Sequence, residues 1–456
     1  MKRRDFIKLS TLACSALLLP DFLQAKEFNL SDVNFSKATF NENSAQTIII
    51  NMHGGASQLS GNITNIDEIE KNSQSSYSYF RSITKTENGC WKEAGGDYME
   101  KLLASGDMTL YRCCYSAIRE KNNNKSHGVC SEQNQKGSFD TDGGGIITNL
   151  AEILDSKGAI DSSTLMPFVT LDGESNFYAP LNRPLKSYLK PTAVNENLDN
   201  PYARDRWSVR EWFYYTREER EKEHYNNTDE KGGFDPKFSI DMDKLAQSHN
   251  PKGKIKDAFA KRGELEHFID EIKKEQTPDL GENAYSNNQF SKKIEASIKL
   301  LHKNPDTKIV TLGTGGLGGW DDHSNARDYV TRMNNLFATL HSAMAHLKAI
   351  GKDDKINIMV FAEFGRNVNL NSANGWDHGN LQNLYILGGN DYFTHKGVVG
   401  ETVVDVTGSL NRLWLKPKSG TYQFEPMSIA STLYKLYGIE NPEVLTGGNF
   451  DSLNLL

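Results

Sequence analysis

The stretch IVTLGTGGLGGWDDHSNARDYVTRMNNLFATLHSAMAHLKAIGKDDKINIMVFAEFGR, residues 309–366, reads as strand, loop, helix and strand. Ile309 to Gly313 is a β-rich apolar run, and a glycine-dense loop carries it to Trp320, Asp321, Asp322 and His323. From Ser324, an N-cap residue by its chemistry, apolar side chains recur at helical spacing: Val330, Met333, Leu336, Phe337, Leu340, Met344 and Leu347. Gly351 stands where a C-cap glycine belongs. A second apolar run, Ile356 to Ala362, ends in Glu363-Phe364-Gly365-Arg366, and a third, Leu384 to Leu387, follows Trp376-Asp377-His378-Gly379. The first two runs and their helix have the pattern of a βαβ unit, hence of a parallel sheet in an α/β fold. Ligands of such sheets bind beyond the carboxyl ends of the strands. Asp321, His323 and Glu363 fall there, and Asp377 and His378, in a loop between two strands, can join them.

The same rhythm runs through the front half. Thr47 to Met52 is a buried-strand pattern ending in His53-Gly54-Gly55, which puts a polar side chain and two permissive backbones at another carboxyl end. Asp97 to Ala104 reads as helix, Met108 to Cys113 as strand, Gly143 to Leu154 as helix and Leu165 to Leu171 as strand, with Ser126-His127 in a loop between them. Further on, Gly397 to Val406 reads as a short strand or hairpin and Ile429 to Leu436 as a closing helix. The texture changes over residues 182–300, where charge-rich segments such as Arg217 to Lys222 and Lys254 to Lys274 have helical spacing. That pattern predicts a charged helical insertion with solvated faces, a lid being the sharper alternative.

The composition of the 456-residue chain is that of a globular protein, 37% hydrophobic and 24% charged. A net charge of −7 argues against nucleic acid as a partner, while leaving room for a small anionic substrate held by a local metal ion or arginine. Lys2-Arg3-Arg4-Asp5-Phe6 before the apolar run Leu12 to Leu19 resembles a twin-arginine export signal, with cleavage expected after Ala25. The expected organisation is therefore a signal peptide at 1–25, a linker at 26–45 and an α/β domain at 46–456 that includes the insertion. This predicts a periplasmic protein with the twin-arginine translocase as a transient partner. No later stretch approaches the roughly 18 apolar residues of a membrane helix, so no stable span is expected in the mature chain. Cys90, Cys113, Cys114 and Cys130 lack zinc-site spacing, and in an exported chain they suggest one or two disulfides of undetermined pairing.

Asp-x-His in one loop and Asp-His in another supply the oxygen and imidazole ligands that hold zinc or manganese. Asp321, His323 and His378 make a three-ligand set for one divalent ion, with Asp377 and His53 as further candidates. Glu363 is either a ligand or the group that orients one. Arg366 suits the oxygens of a phosphate or sulfate, or else pairs with Glu363. Ser126 is a nucleophile candidate that a metal or a histidine could activate, and His127 beside it is a catalytic candidate, although a serine before a helix is more often a cap. Gly313, Gly315 and Gly318 fall in the Gly-x-Gly-x-x-Gly register of a dinucleotide loop. The helix starting only near Ser324 and the acidic Asp321-Asp322 pair both oppose that reading.

Taken as a set, Gly318-Gly319-Trp320-Asp321-Asp322-His323, Glu363-Phe364-Gly365-Arg366, Asp377-His378, Gly388-Gly389, His53-Gly54-Gly55-Ala56-Ser57-Gln58 and Ser126-His127 resemble domain-of-unknown-function family 1501. Its members look like relatives of the alkaline phosphatase and sulfatase superfamily. The resemblance runs from about Thr47 to the C-terminus and implies a mostly parallel central sheet with helices on both faces and a metal-dependent hydrolase ancestry. It implies metal-site roles for Asp321, His323 and His378. Two departures stand out: Phe364 where phosphatase relatives have the histidine of an Asp-His pair, and Ser57 and Ser60 where they often carry an aspartate. Both fall on the second metal of a two-metal phosphatase, so the resemblance implies a one-metal or degenerate site. The expected function is an exported metal-dependent hydrolase of phosphate or sulfate esters, the alternative a non-catalytic periplasmic binding or assembly protein on the same fold.

Overall fold

The computed structural model describes residues 28–36, 44–73, 77–171, 175–198, 268–406 and 412–456. Its strands are β1 (Gln46–Met52), β2 (Met108–Tyr115), β3 (Phe168–Thr170), β4 (Thr192–Ala193), β5 (Ile309–Gly313), β6 (Ile356–Ala362), β7 (Gly365–Arg366), β8 (His378–Gly379), β9 (Leu381–Gly388), β10 (Gly397–Val399), β11 (Thr402–Asp405) and β12 (Trp414–Pro417). One eight-stranded sheet has the order β10-β2-β9-β6-β1-β5-β3-β4. All its pairings are parallel except the two made by β9, which runs antiparallel to β6 and to β2. The βαβ unit is present, but β1 lies between its two strands: Ile48 pairs with both Val310 and Ile358.

The reversal of β9 has a local cause. After β6 the chain forms a ribbon in which Gly365 faces Gly379 and Arg366 faces His378, and this turns it back into the sheet from the edge it has just left. The loop after β6 and the loop before β9 therefore share one edge, which a further parallel strand would not have allowed.

Strand alternation divides the apolar side chains between two cores. Ile48, Ile50, Val310, Leu312, Ile358 and Val360 face one, with helices α1 (Gly96–Ala104), α4 (Gln289–Lys303) and α5 (Asp328–Ala349) packed over them. Ile49, Ile309, Met359, Phe361, Leu384 and Ile386 face the other, covered by α3 (Ile146–Ser156) and α6 (Met427–Leu436). Ile48, Ile49 and Ile50 are all fully buried. Burial of each such side chain contributes roughly 1.5–3 kcal/mol, which is why a short run of β-branched residues anchors the middle of the sheet.

Several expectations change here. The helix α5 begins at Asp328 rather than near Ser324. The amides of Asn325 and Ala326 instead donate to the carbonyls of Ala373 and Asn374, at 2.9 Å each, and Asn325 takes φ 47°. Cys90, Cys113, Cys114 and Cys130 are free, buried thiols. Cys90 faces the Gly61 carbonyl, Cys113 that of Glu401 and Cys130 that of Asn124, while Cys114 packs in the second core, so no two converge. Part of the stretch read as linker is packed: Val33 is buried and Phe35 bridges to Ile439. Most of the stretch read as insertion, including Arg217 to Lys222, lies outside the described residues, and so does the stretch read as an export signal. The end of that stretch belongs to α4, whose Phe290, Ile294, Ile298 and Leu301 are core residues. Among the described residues no helix is long and apolar enough to cross a membrane.

Candidate metal centre

Five loops meet beyond one edge of the sheet: those after β1, β2, β5 and β6, and the one before β9. The loop after β5 is tied to the loop before β9 by backbone bonds. The amide of Trp376 donates to the Asp322 carbonyl at 2.7 Å, and the Asn371 side chain donates to the His323 carbonyl at 2.8 Å. It is tied to the loop after β1 by the Trp320 amide, 3.2 Å from the His53 carbonyl. Gly54 and Gly55 permit this closeness. At Gly54 (φ +105°) a Cβ would lie 2.6 Å from the Asp321 amide nitrogen, and at Gly55 (φ +71°) 2.3 Å from the Phe364 ring.

The result is a set of one carboxylate and three imidazoles. One ligand atom from each of His127, Asp321, His323 and His378 lies within 4.8 Å of all the others. Asp321 Oδ1 is 3.2 Å from His127 Nε2, 3.2 Å from His323 Nε2 and 3.9 Å from His378 Nε2. The two nitrogens His323 Nε2 and His378 Nε2 are 2.8 Å apart. His127 starts helix α2 (His127–Lys136), so the helix fixes its direction.

Each member is oriented from behind. His127 Nδ1 faces Glu363 Oε2 at 2.7 Å, His378 Nδ1 faces the Lys125 carbonyl at 2.6 Å, and His323 Nδ1 is 3.5 Å from Asp377 Oδ1. A carbonyl only accepts, so His378 carries its proton on Nδ1 and presents the Nε2 lone pair to the cluster. Asp321 takes a 2.6 Å bond from Arg366 Nη2. Phe364 closes the floor, its ring centroid 4.8 Å from that of His127 and 4.6 Å from that of His378.

Electrostatics sharpen this division. Burial works to raise the Asp321 carboxyl, but the Arg366 guanidinium and the neighbouring imidazoles outweigh it and hold the group below its usual range. Glu363 is likewise held low: the His53 and His127 imidazoles and the Gly54 amide overcome its burial. His378 is pushed down to about 4, first by burial and then by Arg366 and the other two histidines, with its bond to Lys125 opposing. It is thus a neutral ligand at ordinary pH.

The structure brings Asp321, His323 and His378 together and adds His127 as the fourth. Glu363 and Asp377 stand one step back, against His127 and His323. His53 is exposed, 3.8 Å from Glu363 Oε1 and 3.3 Å from the Asn51 side chain, outside the four-atom set. Ser126 occupies the N-cap position of α2 with an exposed side chain that makes no capping bond, and it is not among the clustered groups. Arg366 corrects an expectation. Its side chain is fully buried, and its donors go to the carbonyls of Gly54, Gly55, Trp320 and Trp376 and to Asp321. Fully buried and engaged by five protein acceptors, it braces the loops rather than facing a substrate anion. The Lys125 carbonyl and Phe364 are site components that residue type did not flag.

The donor set suits a divalent ion. Three imidazoles and one carboxylate match zinc, and manganese among harder ions. His127 Nε2 is buried with no hydrogen-bond partner, an orphan that a cation at the centre would satisfy.

No curated protein sequence matches the chain. Solved structures similar to it include the lipoteichoic acid synthase LtaP from Listeria monocytogenes, at 9% identity over 93% of this chain and 80% of that one, with a TM-score of 0.37. A protein in the alkaline phosphatase superfamily from Vibrio parahaemolyticus has 10% identity over 96% and 76%, with a TM-score of 0.35. The C-terminal periplasmic domain of EcEptC from Escherichia coli, in complex with zinc, has 9% identity over 93% and 95%, with a TM-score of 0.36. At the level of sequence, residues 240–445, which hold Asp321, His323, Glu363, Arg366 and His378 but neither His53 nor His127, match the family described as protein of unknown function (DUF1501).

Proposed function

We propose that the chain is an exported, periplasmic hydrolase of phosphate or sulfate esters that works with one zinc or manganese ion held by His127, Asp321, His323 and His378. The observation that supports this most is the four-donor cluster with a separate orienting partner behind each member. A bound ion supplies Lewis-acid stabilisation of the charge that develops on the ester's oxygens. The chain's own residues do the rest. Glu363 keeps the His127 proton on Nδ1, Lys125 does so for His378, and Arg366 fixes the Asp321 carboxylate. Exposed His53, on the solvent side of Glu363, is placed to hand a proton to a leaving group.

A second reading, a non-catalytic binding or assembly protein of the periplasm, is favoured by Ser126 lying outside the cluster and by Phe364 filling the floor. Turnover decides between them. Para-nitrophenyl phosphate and sulfate are offered to the purified protein before chelation, after it, and after zinc or manganese is returned. The hydrolase reading expects one ester to be cleaved, activity to vanish on chelation and to return with metal. A metal-loaded protein that cleaves neither ester sinks it and favours the binding protein.

A further inference from the structure

Beside the metal centre, beyond the carboxyl ends of β5, β3 and β4, lies a cavity of about 880 Å³. It meets the centre through Asn51 and His53, which line it at the end of β1. Its size is within the range of small-molecule pockets, roughly 300–1,000 Å³. The geometry points to this cavity as the seat of the ester's organic part, and to a sugar as the chemical class of that part. The inference rests on the hydrolase reading, since it is the neighbouring centre that makes the occupant a leaving group.

The chemistry of the walls carries the choice. Gln135 on α2 lines the cavity at 2% exposure. Its amide nitrogen donates to Ser131 Oγ at 3.0 Å, but its Oε1 is buried without a partner. Ser175 Oγ, on the same lining, is also buried and unpartnered. An unpaired buried acceptor costs about 1–3 kcal/mol, and native proteins keep few of them. Two in one cavity wall are groups waiting for a ligand's hydroxyls. Thr148 adds a further short, neutral polar group. Exposed Lys190 brings positive charge, Arg183 is paired with Glu152 at 3.3 Å, and none of the described lining residues is acidic.

Other occupants fit less well. A cationic head such as choline would meet Lys190, and no carboxylate among the described lining residues would receive it. A nucleobase needs an open aromatic face, whereas Phe177 on the lining is 2% exposed. A hydroxyl-rich neutral ring matches walls of amides and hydroxyls. Pro180, Pro184 and Pro191 hold part of that wall with fixed φ, which lowers the ordering cost of binding.

The test is ligand-observed saturation-transfer NMR on the metal-loaded protein with maltose, glucose 6-phosphate and phosphocholine as probes. Transfer is expected to both sugars and not to the choline methyls. Gln135→Leu, and separately the exposed-site variant Lys190→Ala, should each weaken sugar binding about fivefold, as expected for one hydrogen bond, with metal content unchanged. Absence of transfer to either sugar, or transfer that both variants leave intact, overturns the proposal. The two readings fail separately. Ester turnover without sugar binding removes the sugar subsite alone, whereas sugar binding without turnover of any ester removes the hydrolase.

Discussion

Glu363 and Arg366 sit three residues apart at the end of one strand, and the structure gives them opposite duties. Glu363 reaches the His127 imidazole at 2.7 Å, while Arg366 braces Asp321 and four backbone carbonyls. Removing the charge of an orienting carboxylate typically costs about 10–100-fold in metal affinity. Glu363→Gln should therefore weaken metal binding by that order in a competitive chelator titration, with the circular dichroism spectrum retained. Unchanged affinity would mean that the His127–Glu363 pair does not tune the centre. At this scale the sequence was readable where chemistry is local. Asp321, His323 and His378 stood out because two carboxylate-imidazole pairs fall together near strand ends, although each pair alone is common. Arg366 was not readable as a brace, because its acceptors are carbonyls of Gly54, Gly55, Trp320 and Trp376, from three other loops. The Lys125 carbonyl was invisible for a related reason, since backbone acceptors carry no residue signature.

Strands and helices were more legible than their arrangement. β5 and β6 have the bounds their apolar runs suggest, because fully buried strands must be apolar on both faces. The insertion of β1 between them and the reversal of β9 depend on pairings that no periodicity encodes. The start of α5 was misjudged for a similar reason: Ser324 has cap chemistry, but its neighbours Asn325 and Ala326 are strapped to residues 373 and 374. The same helix carries a pH-sensitive group. His346 is buried beside Tyr285, and burial pushes its imidazole down to about 4. An unfolded histidine titrates near 6.5, so between about 4 and 6.5 the unfolded chain binds a proton that the folded chain refuses. This histidine's contribution is complete above that window and is lost as the pH falls through it. Urea unfolding at about pH 7 and pH 4.5 should show wild type losing on the order of 2 kcal/mol more than His346→Gln. Equal losses in the two proteins would contradict the assignment.

For the molecule as a whole, the design is a two-faced sheet with its chemistry gathered beyond one edge. The four clustered side chains run from His127 to His378 in sequence and come from the start of α2, the loop after β5 and strand β8. No single window of sequence therefore contains the centre, and the fold must be complete before it exists. His127 shows the consequence, for it is the member farthest from the others along the chain and lies outside residues 240–445. A centre assembled in this way should be filled only in folded protein, and by one ion. Elemental mass spectrometry on the purified protein, beside the His323→Ala/His378→Ala double variant, tests this most directly. The account predicts about one zinc or manganese per chain in the wild type and loss of that metal in the folded variant. Folded wild type without metal, or a variant that retains it in full, would contradict the centre described here.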